Sequence, residues 1–396
     1  MTKLEKLLQE LCPDGVKYLP IPELFITRNG YTPSKANNEF WENGTIPWFR
    51  MEDIRENGRI LTTATQYVSE KAVKGKLFPA DSIIIATSAT IGEHALIKVP
   101  SLANQRFTYL TLKDEFKDCV DMMFVFYYCF RLDEYCKSHL NQGNFASVDM
   151  KQFAAFKFPV PPLPVQREIV RILDNFTKLT AELTAELTAR KKQYEFYRDK
   201  LLTFGDVRGG ATSDVIRRTL GEVCKISAGG DAPKDSMSKQ KTEKYSVPII
   251  SNGIGENALY GYTDAPKVEE PAVTVAARGT IGYAEYRDYP FYPIIRLLTA
   301  IPKDSTIVNT KYLYYCLQGK QYSVPMGGIP QLTAPELKKV EIPIPSLDVQ
   351  NRIVQVLDNF DAICTDLSSG LPAEIEARQK QYEYYRDKLL TFKPAN

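Results

Sequence analysis

A helix written twice constrains this 396-residue chain more than any other feature of its sequence. The first copy opens Val165-Gln166-Arg167-Glu168-Ile169-Val170-Arg171-Ile172-Leu173-Asp174-Asn175-Phe176 and closes Lys192-Gln193-Tyr194-Glu195-Phe196-Tyr197-Arg198-Asp199-Lys200-Leu201-Leu202-Thr203-Phe204. The second opens Val349-Gln350-Asn351-Arg352-Ile353-Val354-Gln355-Val356-Leu357-Asp358-Asn359-Phe360 and closes Lys380-Gln381-Tyr382-Glu383-Tyr384-Tyr385-Arg386-Asp387-Lys388-Leu389-Leu390-Thr391-Phe392. A period of roughly 185 residues is too long for a solenoid and fits a duplicated two-part unit.

Seam positions in the first copy (Ile169, Ile172, Phe176, Leu179, Leu183, Leu187, Arg190, Tyr194, Tyr197, Leu201, Phe204) step by threes and fours. That spacing predicts a long helix packed on another helix, with a stutter between Leu183 and Leu187. Pro164 suits a helix start, where a missing N–H costs nothing. The second copy carries four extra residues, and Ser368-Ser369-Gly370-Leu371-Pro372 at that insertion predicts a kink or break. If the two copies pack on each other, pseudo-two-fold symmetry makes them antiparallel. A plain helical hairpin that only adds core is the simpler alternative, but the seams are longer than a single core needs.

The segments before the helices, about 16–160 and 215–345, are only distantly alike, yet landmarks recur in order. Ile83-Ile84-Ile85-Ala86 followed by Thr87-Ser88-Ala89-Thr90-Ile91-Gly92 matches Val273-Thr274-Val275-Ala276 followed by Ala277-Arg278-Gly279-Thr280-Ile281-Gly282. Tyr127-Tyr128-Cys129-Phe130 is then set against Tyr314-Tyr315-Cys316-Leu317, and the glycine loops Asn141 to Phe145 and Met326 to Pro330 follow. Proline-rich runs (158–164 and 342–345) close each segment and read as stiff hinges. Each half is thus a mixed α/β domain, a hinge and a long helix.

Catalytic signatures are missing. There is no G-x-x-x-x-G-K-[ST] loop and no Asn/Asp-Pro-Pro-aromatic methyltransferase signature. Gly253-Ile254-Gly255-Glu256-Asn257-Ala258 lacks the framing strand and helix of a dinucleotide loop and reads as a turn. His94 and His139 have no metal-ligand spacing and read as surface or hydrogen-bonded residues. Seven scattered cysteines form no C-x-x-C pair and read as reduced, packed thiols. The longest apolar run, Met122 to Phe130, is too short for a membrane span, and the start resembles no signal peptide, so a soluble cytoplasmic protein is expected.

Lys and Arg total 50 against 48 acidic residues, a net charge of +2 that neither demands nor excludes nucleic acid. Loop residues of the first domain nevertheless suit DNA: Arg28, Lys35, Trp48, Arg50, Thr87, Ser88, Asn104, Gln105, Arg106, Asn141, Gln142 and Asn144. So do Lys234, Ser251, Asn252, Arg278, Thr280, Arg296 and Gln331 of the second. Arginine fits guanine edges and phosphates, Asn and Gln fit adenine, and Ser, Thr and Lys fit phosphate. Any one of them alone reads more often as an ordinary solvated loop residue; only the set, repeated in two domains, carries weight.

The two copies of P-[LIV]-x-x-Q-x-x-I-V-x-[IV]-L-D-x-F and K-Q-Y-x-[YF]-Y-R-D-x-L-L-x-F resemble the specificity subunit of type I restriction–modification systems. Thr180-Ala181-Glu182-Leu183 repeated as Thr184-Ala185-Glu186-Leu187 looks like its IC subfamily. Asn38-Glu39-Phe40-Trp41-Glu42-Asn43-Gly44-Thr45-Ile46-Pro47-Trp48 is similar to a common target-recognition-domain opening. The resemblance implies an α+β chain: target-recognition domains at 1–162, with a short N-terminal helix, and at 206–345, and spacer helices at 163–205 and 346–396. It implies a non-catalytic, DNA-reading subunit whose domains each read half of a bipartite, asymmetric duplex site while the helices set the spacer. Two modification subunits and the restriction subunits are the implied partners. S-adenosylmethionine, ATP and Mg are expected on those partners and none on this chain. A coiled-coil adaptor that binds only protein is the alternative.

Overall fold

The computed structural model describes residues 2–141, 146–204, 215–322, 330–366 and 368–395. The chain divides into two compact units. One comprises residues 1–182 with 376–396, the other residues 183–375, so the division falls inside the Thr-Ala-Glu-Leu tandem. The elements used below are helices α1 (Lys3–Leu11), α2 (Met122–Ser138), α3 (Leu163–Thr203), α4 (Thr310–Leu317), α5 (Leu347–Thr365) and α6 (Leu371–Leu389). The strands of the first unit are β1 (Tyr18–Pro20), β2 (Phe25–Asn29), β3 (Ser82–Ala86), β4 (His94–Ile97), β5 (Phe107–Leu112) and β6 (Lys157–Pro159). Those of the second are β7 (Ile216–Thr219), β8 (Cys224–Ala228), β9 (Ala272–Ala276), β10 (Ala284–Arg287), β11 (Leu297–Pro302) and β12 (Glu341–Ile344).

The main sheets share one order. The first unit has β2-β5-β3-β4, with Ile60–Leu61 added parallel to β4; the second has β8-β11-β9-β10, antiparallel throughout. The Ile83-Ile84-Ile85-Ala86 run does not alternate with polar residues because both faces of β3 are covered. Ile83 and Ile85 pack with the α2 aromatics, whereas Ile84 and Ala86 pack with Trp48 and Phe49 of a smaller sheet. The Thr-Ile-Gly turns are the same in both units. Gly92 and Gly282 sit at φ 81° and 86° and donate to Ala86 O and Ala276 O at 3.0 and 2.9 Å. A Cβ on Gly92 would stand 2.5 Å from the Asp133 carbonyl.

The long helices break as the sequence indicates. α3 runs 41 residues without interruption. Its counterpart stops at Thr365, turns through Asp366, whose carboxylate accepts from Ser368 N and both serine hydroxyls, and resumes at Leu371. In the first unit Phe176 stacks on Tyr385 at 5.6 Å; in the second Tyr197 stacks on Phe360 at 5.9 Å. Early positions of one copy thus meet late positions of the other, the order of antiparallel helices. Among seam residues, Ile169 and Tyr194 are buried, whereas Leu179 is exposed beside the tandem.

Two expectations change. The proline runs are not free hinges: Phe158 and Pro159 lie in β6, paired with β1, before Leu163 opens α3, and 342–344 lie in β12, paired with β7. Proline is tolerated there because every strand is an edge strand. The tyrosine landmarks also move by one residue. Tyr127 OH donates to Asp174 at 2.6 Å and Tyr315 OH to Asp358 at 2.5 Å, so Tyr127 corresponds to Tyr315, not Tyr314.

That register is fixed by a buried glutamine. Gln166 Nε2 donates to Cys119 O (2.8 Å) and Pro161 O (2.6 Å), and its Oε1 accepts from Asp121 N (2.8 Å). Gln350 repeats all three bonds with Ile307 O, Pro345 O and Asn309 N at 2.8, 2.9 and 2.9 Å. Asp121 and Asn309 are in turn the N-caps of α2 and α4.

Candidate nucleic-acid interface

Strand pairing gathers most of the first domain's candidates at one sheet end. Asn29 stands opposite Thr108 and Ala86 opposite Phe107, so β2 and β3 finish where β5 begins. Thr87 N donates to Arg106 O at 2.9 Å, Ser88 bridges to Ser147, and Asn141 pairs with Ser147. Arg28, Thr87, Ser88, Asn104, Gln105, Arg106 and Asn141 therefore share this end, and Asn104 N, bonded to Phe49 O, brings Arg50 beside it. Lys35 is exposed in the loop that follows Tyr31. Gln142 and Asn144, with the glycine loops around residues 142–145 and 323–329, lie outside the described residues.

Several of these side chains are already engaged. Trp48 is a correction: it is 4% exposed, its indole N–H donates to Tyr31 O, and Trp41 packs edge-on at 5.1 Å. It belongs to the core cluster with Phe49, Ile84 and Ala86, on a strand paired along both edges, so it presents no ring to a ligand. The Arg28 guanidinium lies 4.1 Å over Phe78 and donates to Lys76 O and Leu77 O. Arg50 donates to Thr65, and the Asn104 side chain accepts from Arg106 N at 3.0 Å. Gln105, whose Oε1 accepts from Thr32 Oγ1, and Arg106 are exposed.

In the second domain Lys234, Ser251, Asn252 and Arg296 line one open cleft of about 890 Å³, together with Asp231, Asp235, Tyr260 and Ile295. Asn252 Nδ2 donates to Arg278 O at 2.6 Å, and Thr280 Oγ1 donates to Asn252 O at 3.0 Å. Leu332 N donates to Ala277 O, which places Gln331 beside the same turn. All seven candidates thus gather at one sheet end. Tyr260 and Ile295 were missed by residue-type reasoning, since neither carries a charge or amide; Lys239 stacks 3.7 Å over Tyr260. Asp231 and Asp235 offset Lys234 and Arg296 in the cleft, so attraction for phosphate there is confined to single side chains.

Burial pushes the Cys136, Cys224 and Cys316 thiols up to about 12, so they stay protonated and weakly nucleophilic. Cys119 is exposed, contrary to the expectation that every thiol is packed. His94, buried, is bonded through Nδ1 to Asp133 at 2.7 Å, and His139 stacks on Tyr135. Among the described residues no cluster of His, Cys, Asp and Glu could hold a metal, and no helix is long and apolar enough to cross a membrane. Gly255–Ala258 forms a short 3-10 turn, not a dinucleotide loop.

Two domains of one sheet order, each with polar loops at one sheet end and followed by a copy of the repeated helix, make this a duplicated two-domain protein. Residues 13–190 and 213–377 match the type I restriction modification DNA specificity domain, and the chain belongs to that family. It is a DNA-target specificity subunit and non-catalytic. It is 42% identical to the Escherichia coli type I restriction enzyme EcoprrI specificity subunit over 93% of this chain and 92% of that one. The E. coli EcoR124I/EcoR124II specificity subunit is 33% identical, over 64% of this chain and 68% of the relative. Among solved structures, one described as the structural basis of complex assembly and conformational transition of the type I R-M system covers 96% of this chain and 98% of its own. Its TM-score is 0.68 at 18% identity. The HsdS subunit of Thermoanaerobacter tengcongensis gives 0.54 at 17%, covering 96% and 97%. Both show the fold alone.

Proposed function

We propose that each domain reads one half of a bipartite, asymmetric duplex site through the sheet end described above, while the duplicated helices set the spacer and dock two modification subunits. The observation that carries this reading is the convergence, in each domain, of polar loop residues at the matching end of its main sheet. Restriction subunits complete the assembly, and S-adenosylmethionine, ATP and Mg reside on the partners, whose chemistry this chain directs. For docking, the helices offer a repeated exposed aromatic: Phe196 and Tyr384, 61% and 62% exposed at one repeat position. Lys200 and Lys388 lie 5.9 and 6.0 Å over these rings. Equal surfaces suit two copies of one partner. The test exchanges residues 216–344 for a relative's and selects bound duplexes from a randomised pool with the modification subunits present. One half of the motif should change; if both change, or neither, the two-reader account is wrong.

A further inference from the structure

The two domains place a β-turn, held by matching backbone hydrogen bonds, at the same point of the sheet end. In the first, Phe107 N donates to Asn104 O, Gly30 N to Phe107 O and Thr87 N to Arg106 O. In the second, Leu297 N donates to Ile294 O, Gly229 N to Leu297 O and Ala277 N to Arg296 O. A Cβ on Gly30 would meet Asn104 O at 2.3 Å and one on Gly229 would meet Ile294 O at 2.1 Å, so the same close approach braces both turns. The central residues are Gln105-Arg106 and Ile295-Arg296. Arginine thus fills the third turn position twice, while the residue before it differs.

The turns are exposed but not loose. Asn104 Oδ1 accepts from Arg106 N and keeps that arginine at an ordinary backbone angle. Ile294 cannot do this, and Arg296 adopts φ 73°, where glycine or asparagine would be the ordinary choice. An arginine held in that conformation, beside an isoleucine that is 49% exposed, is not what a solvated turn requires.

Building on the two-reader function, we infer that these turns are equivalent base-reading elements. Arg106 and Arg296 each read a guanine edge in their own half-site, and the preceding residue discriminates the neighbouring base. An arginine fork matches guanine N7 and O6; Gln105 matches adenine N6 and N7, while Ile295 offers only an apolar contact suited to a thymine methyl. The shared arginine makes one feature of the two half-sites alike, and the Gln/Ile difference makes the adjacent feature unlike.

The experiment selects bound sequences from a randomised duplex pool, using the full chain assembled with its modification subunits. Arg296→Gly relieves the strained angle, and Arg106→Ala is its counterpart. Each should lose a guanine preference, by roughly 5- to 150-fold, at one position of one half-site only. Ile295→Gln should replace thymine by adenine next to that position. Uniformly weaker binding with an unchanged motif would make the arginines phosphate contacts and overturn the inference, as would unchanged binding. Melting temperature and subunit assembly confirm that each variant folds. If exchange of residues 216–344 also leaves the motif unchanged, the two-reader function fails, and not merely the role of these turns.

Discussion

Replacing Gln166 by leucine should destabilise the first unit by about 2–5 kcal/mol. The side chain is fully buried and makes three backbone bonds of 2.6–2.8 Å. Leucine fills similar space but leaves one N–H and two carbonyls without that partner, at about 1–3 kcal/mol each. Apolar burial returns about 1–2 kcal/mol, and water reaching Cys119, at the exposed edge, recovers part of the rest. The expected fall in melting temperature is about 5–20 °C for a unit of this size. Gln350→Leu should behave alike in the second unit, and the double variant should be nearly additive.

Both tryptophans of the chain, Trp41 and Trp48, lie in the first unit. Tryptophan emission on heating should therefore shift with Gln166→Leu and not with Gln350→Leu, whereas circular dichroism sees both. Gln166→Glu adds a second check. It keeps the acceptor for Asp121 N but turns a carboxylate toward two carbonyls, which raises its folded pKa above the unfolded value of about 4.3. The folded state then binds the extra proton, so the glutamate variant should approach wild-type stability below about pH 4 and lose it as pH rises. The leucine variant should show no such recovery. A leucine variant melting within about 1 °C of wild type, or a glutamate variant with no pH dependence of its own, refutes the clamp.

Glu168 offers a pH prediction of the opposite sign. Its buried carboxylate is held down at about 2 by Arg171 first and then Lys3, so its stabilisation is present above the unfolded value of about 4.3 and lost as pH falls from about 5 through 2. Glu168→Gln should flatten that part of an acid-unfolding profile; an unchanged profile contradicts the assignment. Phe196→Ala and Tyr384→Ala, both on exposed positions, should leave melting within about 0.5 kcal/mol of wild type while each weakens one modification subunit. Sedimentation should show the double variant binding none. A third Thr-Ala-Glu-Leu adds about 6 Å and 40° to α3 at the point where the compact units divide, and is expected to widen the spacer by one base pair with both half-sites kept. A spacer unchanged in the selected motif removes α3 as the ruler.

The helices were legible because their repeat is nearly literal and seam spacing has one reading. The sheet ends were half legible. Arg106 and Arg296 could be chosen by residue type, yet their equivalence was hidden because spacing between matching residues drifts along the domains. It is 184 for Asp174 and Asp358, 188 for Asp121 and Asn309, 190 for Arg106 and Arg296, and 199 for Gly30 and Gly229. Only backbone hydrogen bonds restore that correspondence. Trp48 misled for another reason: a turn-like or strand-end setting marks it as exposed, and only the packing of its side chain shows it to be core. The proline runs misled because a sequence shows that a segment is extended but not what it pairs with.

The same spacing drift shows where divergence was tolerated. It is smallest across the Gln–Asp clamp and grows toward the turns at the sheet ends. A reader may lengthen its loops freely as long as its helix N-cap meets the glutamine and its tyrosine, six residues on, meets the aspartate. Asp121 with Tyr127 and Asn309 with Tyr315 satisfy that rule on otherwise dissimilar domains. Those contacts use backbone groups, an N-cap and one hydroxyl, none of which depends on the bases to be read. Recognition can therefore change without disturbing the anchor that joins a reader to its helix.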